Sequence, residues 1–260
     1  MKNKNVCTEN TVKTGKGKDN ALKILAIDST AKTSTVALTE NERLIGLSIL
    51  NTNNTHSVTL LPSVEGILSG AGITARDVDL FVCSAGPGSF TGVRIGAAAV
   101  KGLAFADGKK CIGVSSLEAL AMNVTEGDGT VCAVMDARRN QLYNALFEIK
   151  GKTLKRLTPD RVITKDELSE ELSGCTGKIY VVGDGREIAL TALCGHELPD
   201  ISETAKYQNA YSVALLGLKE YLGLSEQERE GLTASALSSV YLRASQAERE
   251  REEKIKNGRA

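Results

Sequence analysis

The chain has 260 residues, 42% of them apolar, with 32 Lys+Arg against 32 Asp+Glu. That length fits one large domain or two small ones, and the apolar share rules out a globally disordered chain. A formal net charge of zero gives no overall pull toward nucleic acid or an anionic membrane, so any RNA contact must come from a local patch or a partner.

Residues 1–22 carry Lys2, Lys4, Lys13, Lys16 and Lys18 but no apolar core of a signal peptide, and are expected to be a flexible polar extension. No stretch reaches the roughly 18 consecutive apolar residues of a membrane span, so a cytoplasmic chain with no membrane contact is expected. The six cysteines include no C-x-x-C pair, and four lie in or beside apolar runs, as small buried hydrophobes do.

Regular structure starts at Lys23. "KILAIDS", "TSTVALTE" and "RLIGLSIL" are three β-rich segments. From Thr55 the period changes: Leu60, Leu61, Val64, Ile67 and Leu68 recur at three- and four-residue spacing, which predicts one face of a helix. "VDLFVCS" is a strand, and "SAGPGSFTGVRIGAAAVKGLAFA" (84–106) turns through glycines into a further helix. "KCIGV" is a short strand, and Ser115 or Ser116 caps the next helix. After the polar break "TEGDGT", "VCAVMDARRNQLYNALFEI" supplies two β segments and "KIYVVGDG" a strand and turn. Ala210 to Leu222 has a helical pattern, and "SSVYLRASQAERERE" predicts an extended piece followed by a charged helix.

An internal repeat crosses the break. "ILAIDSTAKTSTVAL" set without gaps over "CAVMDARRNQLYNAL" places Asp28 on Asp136, Ala37 on Ala145 and Leu38 on Leu146. The repeat predicts an α/β fold of two related halves, 23–125 and 126–260, of the actin-like and sugar-kinase type with the second half reduced.

Strand, glycine turn and helix often make a phosphate cradle. Here neither the Walker spacing nor the dinucleotide spacing is met: Thr91 stands at the second glycine counted from Gly86, Val93 at that counted from Gly88, and no Lys follows. Gly86 and Gly88 remain candidates for an anion, against a tight turn that lets backbones approach. Asp28, Ser29 and Thr30 are candidates for Mg²⁺ or phosphate at the first hairpin turn, against ordinary turn chemistry. Arg138 and Arg139 put bulk and charge at the second turn, where pairing with acidic residues competes with phosphate binding. The helix after the loop is apolar nearly all round, with small residues at 92, 96 and 99. It is expected to bury two faces, one on its own sheet and one on another helix or chain. The expected docking residues are His56, Leu60, Leu61, Val64 and Ile67 on the first helix, and Val93, Arg94, Ile95, Gly96 and Ala99 on the second. His196 is assigned no role.

These blocks, together with "HSVTLLPSVEGILSGAGI", "VSSLEALA" and "YLRASQAE", resemble the TsaB (YeaZ) family over roughly residues 23–249, with "AGPGSFTGVRIG" the most specific. The chain departs from the family pattern at Ser29-Thr30, at Val58 and at Val240. The resemblance implies a subunit for making threonylcarbamoyladenosine in tRNA. Its partners would be a TsaD-type catalytic paralogue and a TsaE-type ATPase, with a homodimer through the same face as an option and tRNA met only within the complex. ATP, Mg²⁺ and an active-site metal would belong to the partner subunits, and no cofactor to this chain alone. The paralogue's two metal-binding histidines fall on Ser116 and Leu120; leucine cannot ligate a metal and a lone serine is a poor ligand. The resemblance thus implies a non-catalytic subunit. The competing reading is a stand-alone ATP-dependent enzyme of the sugar-kinase type.

Overall fold

The computed structural model describes residues 21–52 and 54–243. The lysine-rich extension, Cys7 and the expected charged C-terminal helix lie outside the described residues.

Two mixed sheets form the frame. The first is five-stranded, in the order β3 (Arg43–Leu50), β2 (Ser34–Glu40), β1 (Lys23–Asp28), β4 (Leu80–Gly86) and β5 (Lys110–Ser115). Strands β1 to β3 are an antiparallel meander, while β4 and β5 run parallel to β1. A continuous apolar run such as Ile24–Ile27 suits a strand buried on both faces. Leu25 and Ile27 face one layer of helices, and Ile24 and Ala26 face the other. The first layer is α1 (His56–Gly70) and α2 (Phe90–Phe105).

The second sheet repeats the plan in shortened form. β6 (Gly127–Asp136) and β7 (Gln141–Gly151) form the second hairpin, and β10 (Ile179–Val182) lies parallel to β6. β8 (Thr153–Arg156) and β9 (Arg161–Thr164) pair with successive parts of β7, so together they do for this sheet what β3 does for the first. Nothing corresponds to β5 among the described residues. This is the duplicated α/β architecture of the actin-like and sugar-kinase type, with its second half reduced. The gapless repeat slips by one residue in register. Asp28 pairs with Thr35, whereas Asp136 pairs with Leu142. The tighter second turn is closed by Arg138, Arg139 and Asn140, all in the left-handed region at φ 65°, 56° and 58°.

The halves do not divide at residue 125. Helix α6 (Ala210–Gly223) follows the second sheet in sequence but packs on the first, where Val213, Ala214 and Leu216 cover Ala26, Val82 and Val114. Helix α3 (Ser116–Ala121) ends the first half but packs Leu117, Leu120 and Ala121 on Ala133, Met135 and Phe147 of the second sheet. Each half lends a helix to the other. The outer face of the second sheet is covered by α4 (Lys165–Leu172) and α5 (Arg186–Ala192). Across the join, Arg156 binds Glu118 at 2.8 Å, and Asp160, which Arg156 holds at 2.6 Å, accepts from the Ser115 hydroxyl at 2.6 Å.

Glycine decides how closely α2 approaches the first hairpin. A Cβ on Gly92 would lie 2.0 Å from the Ser29 carbonyl oxygen, and one on Gly96 2.6 Å from the Ser29 hydroxyl. Gly102, two turns on, has open space where a Cβ would stand. Gly92→Ala is therefore expected to lower stability by about 3 kcal/mol through overpacking. Gly102→Ala is expected to raise it by up to about 1 kcal/mol through helix propensity. Chemical denaturation of the two variants checks the contrast.

The turn from β10 to α5 holds Asp184, whose carboxyl is pushed up to about 6 by burial, with the charge of Asp136 adding to the shift. An ordinary Asp titrates near 3.8. The folded state thus holds this proton over a range where the unfolded chain has lost it. Stability from this group is full below about 3.8 and is lost as pH rises through about 6. Asp184→Asn keeps the acceptor that Asp136 N–H uses at 3.4 Å. Its melting temperature is expected to exceed the wild type's at pH 7, with the difference disappearing toward pH 4.

Candidate functional site

Two features stand out: the outer surface of α1 and α2, and the cleft between the halves. On α1, Leu60, Val64 and Leu68 point into the core, with Leu60 only 1% exposed. Ile67 packs partly against the same core. Leu61 lies on the opposite side at 53% exposure, beside Val58 at 64%. On α2, Val93, Gly96, Ala97 and Val100 are buried, while Ile95 and Ala99 are partly buried against the first core.

This corrects the expected docking set. Leu60, Val64, Val93 and Gly96 are interior groups of this chain, because α1 and α2 must cover β1, β2 and β4. The small residues at 92 and 96 serve the approach to Ser29, not to a second helix. The surface of the pair is instead formed by Val58 and Leu61 on α1, and by Arg94, Ala98, Gly102 and Phe105 on α2, the last at 80% exposure. On α2 these residues recur at three- and four-residue steps and make one stripe. His56, half-buried at the start of α1, hydrogen-bonds the Ala31 carbonyl through Nε2 at 2.7 Å. It ties α1 to the first hairpin turn.

The start of the same turn is folded inward. Asp28 is buried and accepts from the Ser84 hydroxyl at 2.5 Å, the Thr30 hydroxyl at 2.7 Å and the Thr30 amide at 2.8 Å. Burial raises its carboxyl above the usual range, and these three donors oppose that shift. The Ser29 hydroxyl donates to the Gly92 carbonyl at 2.8 Å. Asp28, Ser29 and Thr30 thus spend these polar groups inside the protein, the ordinary turn chemistry that competed with the Mg²⁺ or phosphate expectation. Gly86 and Gly88 are likewise filled by backbone. A Cβ on Gly86 would meet the Val240 carbonyl at 2.3 Å, one on Gly88 the Thr30 carbonyl at 2.5 Å, and the Ser89 amide donates to Thr30 at 2.6 Å. Of the two readings of the loop, the tight turn for backbone packing is the one realised.

The second turn differs. Arg138 pairs with Asp136 at 3.1 Å, the acidic partner expected of it. Between the turns lies a cleft of about 930 Å³, walled by the β1–β2 loop, the first turns of α1 and α2, the β6–β7 turn and residues 240–243. The last segment was legible only as an extended piece. It acts as a strap: the Val240 amide donates to the Ala85 carbonyl at 2.7 Å. Tyr241 stacks near Phe90 with centroids 4.7 Å apart, and Arg94 lies 3.9 Å over Phe90 while donating to the Tyr241 hydroxyl at 3.2 Å. Arg243 reaches the second half, donating to the carbonyls of Ala137 and Arg138.

Ser116 and Leu120, on α3, are buried between the halves, Leu120 within the core under the second sheet. The thiols of Cys83 and Cys132 are pushed up to about 12 and that of Cys111 to about 11 by burial, as small apolar side chains would be. His196 joins two carbonyls, Leu172 at 2.9 Å and Leu193 at 3.3 Å, and so fastens the loop after α5 to α4.

Known proteins match this arrangement. The family model described as TsaD, tRNA N6-adenosine threonylcarbamoyltransferase, matches residues 49–249. The tRNA threonylcarbamoyladenosine biosynthesis protein TsaB of Bacillus subtilis is 30% identical over 238 residues, covering 86% of this chain and 96% of that protein. TsaB of Escherichia coli is 31% identical over 167 residues, 63% of this chain and 72% of its own. The solved structure of YeaZ from Pseudomonas aeruginosa superposes with a TM-score of 0.69 at 25% identity, covering 85% of this chain and all of that one. The family model bears the catalytic enzyme's name, whereas the relative matched along nearly its whole length is TsaB. The chain belongs to the TsaB family of tRNA threonylcarbamoyladenosine biosynthesis proteins.

Proposed function

We propose that this chain is the non-catalytic subunit of the complex that makes threonylcarbamoyladenosine in tRNA, and that it docks on and activates a TsaD-type transferase through the outer face of α1 and α2. The observation that carries the reading is the stripe of Ala98, Gly102 and Phe105 beside Val58 and Leu61, apolar and exposed on a well-packed helix pair. An exposed apolar patch on a soluble fold marks a partner site, and Ala98 and Gly102 let a facing helix come close. A non-catalytic role is supported by Ser116 and Leu120, buried side chains without metal-binding chemistry at the positions where the transferase has histidines.

The partner subunits then supply ATP, Mg²⁺ and the active-site metal, with a TsaE-type ATPase joining the pair. The same stripe accounts for a homodimer when the transferase is absent. No helix among the described residues is long and apolar enough to cross a membrane, in keeping with work on tRNA in the cytoplasm. The sugar-kinase alternative loses its main support, because Asp28 is enclosed by Ser84 and Thr30.

Leu61→Glu and Ala98→Glu are expected to abolish co-elution with the transferase on gel filtration. Each buries an unpaired charge in the interface and weakens docking by about 100-fold or more. Their melting temperatures should stay near the wild type's, since both positions face outward. Leu60→Ala is expected to do the reverse, losing about 2–5 kcal/mol of stability while still docking at low temperature. Normal co-elution of both glutamate variants would sink the assignment of this face.

A further inference from the structure

We propose that the inter-half cleft binds the phosphodiester groups of a single-stranded RNA segment. This rests on the reading of the chain as part of a tRNA-modifying complex and assigns a specific RNA contact to this subunit. The chain as a whole is neutral, yet the cleft is not. Among the described residues, Lys32, Arg94, Arg138 and Arg243 line it, against one carboxylate, that of Asp136. Four separate segments deliver these cations: the β1–β2 loop, α2, the β6–β7 turn and the strap. A local excess of positive charge on a neutral protein focuses anions at that place.

The cations keep donors to offer. Lys32 is exposed and makes no ion pair among the described residues. Arg94 uses Nε on Tyr241, with Cζ 3.9 Å from the Phe90 centroid, and its terminal nitrogens make no hydrogen bond among the described residues. Arg138 uses Nη1 on Asp136, and Arg243 uses Nη1 on carbonyls of the second turn. Tyr143 and Tyr241 line the same cleft. Cations interleaved with aromatic faces are the chemistry by which single-stranded nucleic acid is held: charge takes the backbone and rings take the bases.

A free nucleoside triphosphate suits the cleft less well. Its Mg²⁺ needs carboxylates, and the one carboxylate that lines the cleft among the described residues is paired with Arg138 at 3.1 Å. The Asp28 carboxyl and the Ser89 amide, which would hold metal and phosphate at the first turn, are committed internally.

The test is fluorescence anisotropy of a labelled tRNA anticodon stem-loop with the full chain, alone and with the transferase, across a potassium chloride titration. The double variant Lys32→Ala/Arg94→Gln is expected to bind about tenfold more weakly. The slope of log affinity against log salt should fall by about 0.7 for each contact removed. Lys32→Ala alone, an exposed change that leaves folding intact by circular dichroism, is expected to show one such step. Deleting residues 2–20 should leave the slope where it was. An unchanged slope in the cleft variants overturns the proposal, as does a slope lost only on deleting residues 2–20. Tight ATP binding that is lost in the cleft variants while no RNA binds gives the cleft to a free nucleotide and overturns it too. Gel filtration of Leu61→Glu and Ala98→Glu with the transferase keeps the readings apart: normal docking by these two, with RNA binding lost in the cleft variants, would sink the docking face alone.

Discussion

The structure hangs on a buried polar knot at the end of β1. Asp28 takes three hydrogen bonds, from Ser84 on β4 and from Thr30 in its own turn, while Ser29 donates to the Gly92 carbonyl on α2. A buried carboxylate is tolerable only when its oxygens are satisfied, so these bonds fix the turn, the end of β4 and the start of α2 relative to one another. The orientation of α2 follows. Gly92 and Gly96 must face the turn, because no larger residue fits there, and Ala98, Gly102 and Phe105 must then face outward. The knot also carries the strap, since the Ala85–Gly86 backbone beyond Ser84 is where Val240 lies. One cluster of short hydrogen bonds thus sets the docking face, the floor of the cleft and the path of the C-terminal segment.

Much of this frame was legible. The three opening strands, β4, α2 and the second hairpin are long apolar segments with clear breaks, and the repeat of Asp28 on Asp136 reports a real duplication. What resisted reading was direction. On α1, Leu60 and Leu61 fit a helical apolar face equally well by spacing; only the sheet beneath decides that Leu60 is core and Leu61 is surface. On α2 the difficulty is greater, because a helix of Gly, Ala and Val has no polar face to mark the outside. Its glycines were read as a seat for another helix, when they seat a hairpin turn. Helix α4 carried a signal that was missed: Thr164 and Glu167 form a reciprocal capping box. The return of α6 to the first sheet had no such signal, since chain order does not say which of two apolar sheets a helix will cover.

The two hairpin turns show how a duplicated fold diverges. In the first, a six-residue connection between Asp28 and Thr35 folds its hydroxyls inward and becomes part of the core. In the second, the connection is one residue shorter and places three successive left-handed residues at the turn. Non-glycine residues hold that conformation at a cost, and Arg138 recovers part of it by pairing with Asp136 and accepting Arg243 on its carbonyl. The first turn thus buries its hydroxyls and leaves Lys32 at the cleft, while the second presents Arg138 to it.

Helix α2 belongs to both surfaces, and this joins them mechanically. Its first turn, Phe90 to Arg94, carries the stack with Tyr241 inside the cleft, and its later turns carry the docking stripe. Arg94 and Ala98 are four residues apart, about 6 Å along the axis. The face that the proposal assigns to docking therefore adjoins the cleft, which Arg94 and Ile95 line. The strap strengthens this link, because Tyr241 touches α2 while Arg243 touches the second half. The Phe90–Arg94–Tyr241 stack and Arg243 thus form one contiguous path of contacts from α2 to the β6–β7 turn. Under the proposed docking, this path joins the partner face of α2 to the cleft.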